Sequence, residues 1–172
     1  MAMIFCEDGG MTGTATAKAD GARPATGSAH GEAWGALTRT HAAIVGRLQE
    51  ALAAADFPPL PWYEVLATVA EAPEQRLKMG ELAEALVITR GGLTKLVDRL
   101  VKAGLLERTF CETDRRVSYA TLTPAGAELL AGMRPVVVEE LRTAFAAKLS
   151  VAQANDLREA LDRVRDSACG AE

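Results

Sequence analysis

Between residues 78 and 126 the chain reads KMGELAEALVITRGGLTKLVDRLVKAGLLERTFCETDRRVSYATLTPAG, and within it the spacing of apolar residues changes. Met79, Leu82, Ala83 and Leu86 recur at steps of three and four, and so do Leu93, Leu96, Val97 and Leu100, which is the period of an amphipathic helix. LLERTF and VSYATL then have strand composition and flank the polar run CETDRR. The order predicts two short helices followed by a β-hairpin with a charged tip.

The punctuation agrees with the periods. Val87 and Ile88 carry the turn between the helices, Thr89 is placed to cap the second, and Gly104 stands where a left-handed residue ends it. Thr123 and Pro124 read as the N-cap and first residue of a further helix, reaching about Lys148 and bent at Pro135. The fold class expected is mainly α with a small β-hairpin wing, a winged helix-turn-helix.

Outside this stretch, residues 1–31 are rich in Gly, Ala, Thr and Ser without an apolar period and are expected to form a disordered arm, with Met11 as an alternative start. Over residues 32–55, Trp34, Leu37, His41, Ile44, Val45, Leu48, Leu52 and Ala55 form the stripe of a long helix that FPPLP breaks. Pro61 opens a second helix, burying Trp62, Val65, Leu66 and Val69 before Pro73 ends it. A capping box from Ser150 to Gln153 starts the last helix, with Leu157, Leu161 and Val164 on its apolar side. The organisation expected is an arm (1–31) and a single domain (32–172), comprising a first dimerisation helix (32–56), the winged unit (60–122) and terminal dimerisation helices (123–169). The long first helix and the stripe Val136, Val137, Leu141, Phe145, Leu149, Leu157, Leu161 and Val164 exceed what a small winged unit can cover, so burial in a two-fold interface is expected.

A net charge of -4 argues at first against nucleic acid. Distribution reverses the argument: residues 89–116 hold seven basic and four acidic residues, a local excess of three, which leaves -7 on the rest. No apolar run approaches the ~18 residues that cross a bilayer, and MAMIFCEDGG lacks the pattern of a signal peptide, so a cytoplasmic protein is expected. Cys6, Cys111 and Cys169 are too few and too scattered for a disulfide framework or a thiolate metal site. His30 and His41 lack HExxH spacing, and there is neither a GxSxG nor a Gly-rich phosphate loop after a strand. No enzyme, metal or cofactor is expected.

Placing Leu93, Leu96, Val97 and Leu100 inward turns Gly91, Thr94, Lys95, Asp98 and Lys102 outward at 100° per residue. Such a helix fits the major groove of double-stranded DNA, with Thr94 and Lys95 at base edges and Thr89 and Arg90 at phosphates or the groove edge. Arg99 joins this set, and Asp98 is expected to lie beyond the groove or to pair with Arg99 or Lys102. Gly91 and Gly92 break helix rules, either to let the backbone approach DNA or because the first turn is loose. At the hairpin tip, Asp114, Arg115 and Arg116 suit a minor groove, where a carboxylate can hold a guanidinium in a fixed pose; the alternative is a solvated tip.

These residues resemble the MarR family of bacterial transcription regulators over residues 60–130: the PWYEVLATVAEAP helix, ELAEALVITRGGLTKLVDRLVKAGLLER, the TDRR tip and the LTPAG that follows. The resemblance implies a homodimer held by its first and last helices, recognition helices in successive major grooves, and a minor-groove arginine, Arg116, oriented by Asp114. It also implies a repressor released by a small, often aromatic or phenolic ligand bound between the dimer helices and the DNA-binding lobe. Trp34, His41, Trp62, Tyr63 and Glu64 are candidate effector contacts, each with a packing role as the alternative. The family's peroxide sensors carry a reactive cysteine in the first long helix, and none lies in residues 32–55. Cys111 beside Arg115 and Arg116 leaves open a thiol-based sensor, and a winged module that binds protein rather than DNA is the other alternative.

Overall fold

Ser28 opens the first helix six residues before the apolar stripe begins at Trp34, because its side chain accepts from the Gly31 amide at 3.1 Å. Its helix, α1, spans Ala29–Ala54 in a computed structural model that describes residues 28–86, 88–110 and 117–169. The boundary expected at residue 31 therefore moves back, and the arm proper, with Met11 and Cys6, lies outside the described residues. Six further elements carry the winged unit and its exit: α2 (Leu60–Glu71), β1 (Arg76–Lys78), α3 (Met79–Ala85), α4 (Arg90–Lys102), β2 (Leu106–Phe110) and β3 (Ser118–Leu122). Helices α5 (Pro124–Ala144) and α6 (Val151–Cys169) complete the chain.

The strands form an antiparallel sheet in the order β1-β3-β2, pairing Leu77 with Ala120 and Arg108 with Ala120 from either side. The expected hairpin is thus present with a third strand added at its edge. Strand β1 follows a tight 3-10 turn in which Glu74 (φ 56°) and Gln75 (φ 52°) both take left-handed backbone. Helix α5 continues through Pro135 but ends at Ala144, with a 3-10 turn over Ala146–Lys148, so it stops short of the expected Lys148.

Two apolar clusters hold the molecule. The larger joins Val65, Leu66 and Val69 of α2 to Leu82 and Leu86, to Leu93, Leu96, Val97 and Leu100 of α4, and to the bases of β2 and β3. The smaller joins Val45, Leu48 and Leu52 of α1 to Leu60, Met133 and Val137, with Val136 and Leu141 packed against it. Part of the stripe assigned to a two-fold interface is therefore buried inside one chain. An Arg47–Glu140 ion pair adds a polar tie between α1 and α5.

The LTPAG segment is the tightest junction. Thr123 caps α5 by accepting from Gly126 N–H (3.0 Å) while donating its hydroxyl to the Gly104 carbonyl (2.8 Å). A Cβ on Gly126 would lie 2.1 Å from the Leu105 carbonyl oxygen, so only glycine lets α5 start there. Gly104, at φ 73°, ends α4 in the left-handed conformation expected of it. Among the described residues, no helix is long and apolar enough to cross a membrane.

Candidate nucleic-acid interface

Helix α4 begins where Thr89 leaves extended backbone and accepts from the Gly92 amide at 3.2 Å, as the sequence predicts. Its four buried residues, Leu93, Leu96, Val97 and Leu100, point Gly91, Lys95, Asp98 and Lys102 away from the core, with Thr94 and Arg99 on the flanks. Arg90, Lys95, Arg99 and Lys102 are exposed and take part in no ion pair among the described residues. Four free cations on one short helix suit a polyanion. The Thr94 hydroxyl donates back to the Arg90 carbonyl at 2.9 Å, which spends its proton and leaves its oxygen as an acceptor on a half-buried side chain.

Asp98 does not pair with Arg99 or Lys102. Its carboxylate meets Arg108 Nη1, on β2, at 3.5 Å. Arg108 Nη2 also donates to Ser118 Oγ on β3 at 3.4 Å, and its guanidinium lies 5.8 Å from the centre of the exposed Phe110 ring. The contact is remote in sequence, so helical spacing cannot reveal it.

The two glycines of the first turn separate. A Cβ on Gly91 would meet nothing within 4 Å, whereas one on Gly92 would press on Thr89 Oγ1 at 3.1 Å and Ile88 Cγ1 at 3.3 Å. Gly92 thus has a reason neither sequence reading supplied: it leaves room for the capping hydroxyl. Beside this turn lies a groove of about 430 Å³ between α3, α4 and β3, lined by Lys78, Glu81, Arg90, Thr94 and Ser118 among others. The hairpin tip, with Asp114, Arg115, Arg116 and Cys111, lies outside the described residues.

The effector candidates fall on two helices. Trp34 (56% exposed) and His41 stand in solvent on α1, so His41 is not a core residue as packing on the stripe had suggested. Trp62 and Tyr63 are half-buried on α2 and pack against the larger cluster. Burial raises the Tyr63 hydroxyl above its ordinary range, with Arg134 opposing. Glu64 is the unusual member: burial pushes its carboxyl up to about 7, and its Oε1 is buried with no hydrogen-bond partner. A second groove of about 560 Å³ lies along α5, walled by Ala127, Leu130 and Val138 with Arg134 and Gln75 contributing the polar groups. Neither groove contains any of the five candidates. The α5 groove was missed by sequence reasoning, since its residues come from three separated segments and its apolar members read simply as core.

Comparison with known proteins gives this geometry a context. A model of the MarR family matches residues 55–117. The structure of Sco3205, a MarR family transcriptional regulator from Streptomyces coelicolor solved in complex with DNA, is similar with a TM-score of 0.76 and 31% identity, covering 81% of this chain and 89% of that one. AbsC, a MarR family regulator from the same organism, is similar with a TM-score of 0.77 and 26% identity, covering 83% and 97%. A putative transcriptional regulatory protein for the hcr operon of Thauera aromatica is 32% identical over 59% of this chain. That match spans 60% of the Thauera protein, less than two thirds of its length.

Proposed function

The chain belongs to the MarR family of transcriptional regulators, and from that premise we propose that it is a homodimeric repressor that reads double-stranded DNA and releases it on binding a small aromatic or phenolic ligand. The observation that carries the DNA-reading part is the outward face of α4, where Arg90 and Lys95 stand near the capped N-terminus and Arg99 in the last turn, none of them ion-paired among the described residues. Lys95 and Thr94 read base edges; Thr89, Arg90 and the bare Gly91 backbone meet phosphates, and Arg99 follows the groove wall. Asp114, Arg115 and Arg116 serve the minor groove, with Arg116 inserted and Asp114 orienting it.

Pairing is supported by what one chain leaves uncovered. Trp34 and Leu37 on α1, Phe145 after α5, and Leu157, Leu161 and Val164 on α6 are all exposed apolar residues on the helices outside the reading lobe. A second copy covers them and sets two α4 helices about one DNA turn apart, ~10 bp. For the effector, Trp34, His41, Trp62, Tyr63 and Glu64 remain the proposed contacts, with the buried carboxyl of Glu64 as their polar member.

The test is enrichment of duplexes from random-sequence DNA by the purified protein, followed by titration at two salt concentrations. Lys95→Ala is expected to weaken the enriched duplex by roughly tenfold and to relax preference at one position, as loss of a base contact does. Arg116→Ala should weaken it while leaving the dimer intact. Absence of any complex at ~50 mM salt, where phosphate contacts are strong, would replace DNA with a protein partner.

A further inference from the structure

Asp98 is the one anion on the outward side of α4, which otherwise presents Arg90, Lys95, Arg99 and Lys102. A carboxylate there opposes phosphate, so its presence needs a reason other than DNA contact. We propose that Asp98 and Arg108 form a latch that fixes the hairpin at a set angle to α4, which makes both of them positioning residues for DNA reading; the inference rests on the DNA-reading role proposed above.

The buried residues of the hairpin, Leu106, Ala120 and Leu122, lie at or below its middle, where the core holds it. Phe110 and Ser118 form the outermost described pair, and Phe110 is exposed. Arg108 stands level with the last buried residue, directly across from Ala120. Its side chain reaches α4 through Asp98, β3 through Ser118 and its own strand through Phe110. Each contact is long, and an exposed ion pair by itself contributes little. Together they connect the recognition helix to both strands of the hairpin at the level where burial ends and just beyond it. Two elements that enter adjacent grooves must hold a fixed mutual geometry, and ordering them before binding lowers the cost of binding. The pairing also cancels the charge of Asp98 on the face that approaches phosphate.

Direct contact and positioning predict opposite responses. If Arg108 were a phosphate contact restrained by Asp98, then Asp98→Asn would free it and tighten binding. If the pair is a latch, Asp98→Asn should accelerate amide exchange at residues 107–110 and 117–119 in the free dimer while α5 is unaffected. Binding to a duplex enriched by the wild-type protein should then weaken by roughly two- to fivefold, the range of an exposed pair. Binding to poly(dI-dC) should stay level or strengthen, because an anion has been removed. The exchanged pair, Asp98→Arg with Arg108→Asp, should restore slow exchange and part of the preference for the enriched duplex. Unchanged exchange, or enriched-duplex affinity equal to or above wild type, overturns the latch. Thermal melting of each variant separates these outcomes from misfolding, and the exchanged pair decides the matter should Asp98→Asn alone fold poorly. Should the wild type enrich no duplex, the DNA-reading proposal fails, while the exchange rates still decide whether the latch exists.

Discussion

Helices α4 and α6 are both amphipathic, and only α4 is completed by its own chain. Leu93, Leu96, Val97 and Leu100 of α4 vanish into the larger cluster. Leu157 and Leu161 of α6 remain more than a third exposed, and no residue of 151–167 is buried. The charged sides differ as well. On α6 two of the three cations are spent locally, Arg158 on Asp162 and Arg165 on Asp162 and Asp166, whereas none of the four on α4 is ion-paired among the described residues. One helix has a satisfied apolar side and an unsatisfied charged side; the other has the reverse. The first is suited to a polyanion and the second to another apolar surface, which is the division of labour proposed between reading and pairing.

The contrast can be broken at several points. The largest effect is expected at the lobe's tightest contact: Gly126→Ala drives a methyl into the Leu105 carbonyl and should cost about 3 kcal/mol or more in denaturant unfolding, irrespective of protein concentration. Leu157→Asp combined with Leu161→Asp should act differently, weakening self-association by about a hundredfold in sedimentation while the circular dichroism of the lobe is kept. A variant that stays dimeric would remove α6 from the pairing surface. Between the two clusters lies α2, and Glu64 on it titrates near neutrality. Since its folded carboxyl holds the proton more tightly than the unfolded one, the stability this group contributes is fully present only at low pH. It should fall by about 1–2 kcal/mol as pH rises from about 4.5 to about 7, after discounting for solvent screening at this partly exposed group. Glu64→Gln should flatten that slope, measured as melting temperature against pH. The smallest effect belongs to the first turn of α4. Gly91→Ala should stabilise by about 0.5 kcal/mol, while Gly92→Ala should gain nothing because its methyl crowds the Thr89 cap.

What the sequence revealed follows from locality. The caps at Thr89, Thr123 and Ser150 and the stop at Gly104 are short-range signals, and each is found in place. The inward face of α4 follows from its period alone. Strand β1 was illegible because three residues carry no period and their partner, β3, lies about forty residues on. The same distance problem hid the Asp98–Arg108 pair, for which helical spacing offered nearer partners. His41 misled because a stripe marks which side of a helix is apolar and not how far along the helix its cover extends. In α1 the buried positions begin only at Val45. As for Gly126, the motif was visible and its cause was not, since nothing in LTPAG shows that the Leu105 carbonyl sits against it.

That contact has a mechanical consequence. With Thr123 bonded to the Gly104 carbonyl and the Gly126 backbone seated on Leu105, the exit of α4 and the entry of α5 move as one piece. Helix α5 has 21 residues, so it is a shaft of roughly 30 Å with the reading head clamped at one end. Tilting such a shaft by about 5° at its far end displaces the head by roughly 2–3 Å, a sizeable fraction of the rise between base pairs. In the proposed dimer, a small adjustment in how the helices outside the lobe sit is thereby geared up into a change in the span between two reading heads.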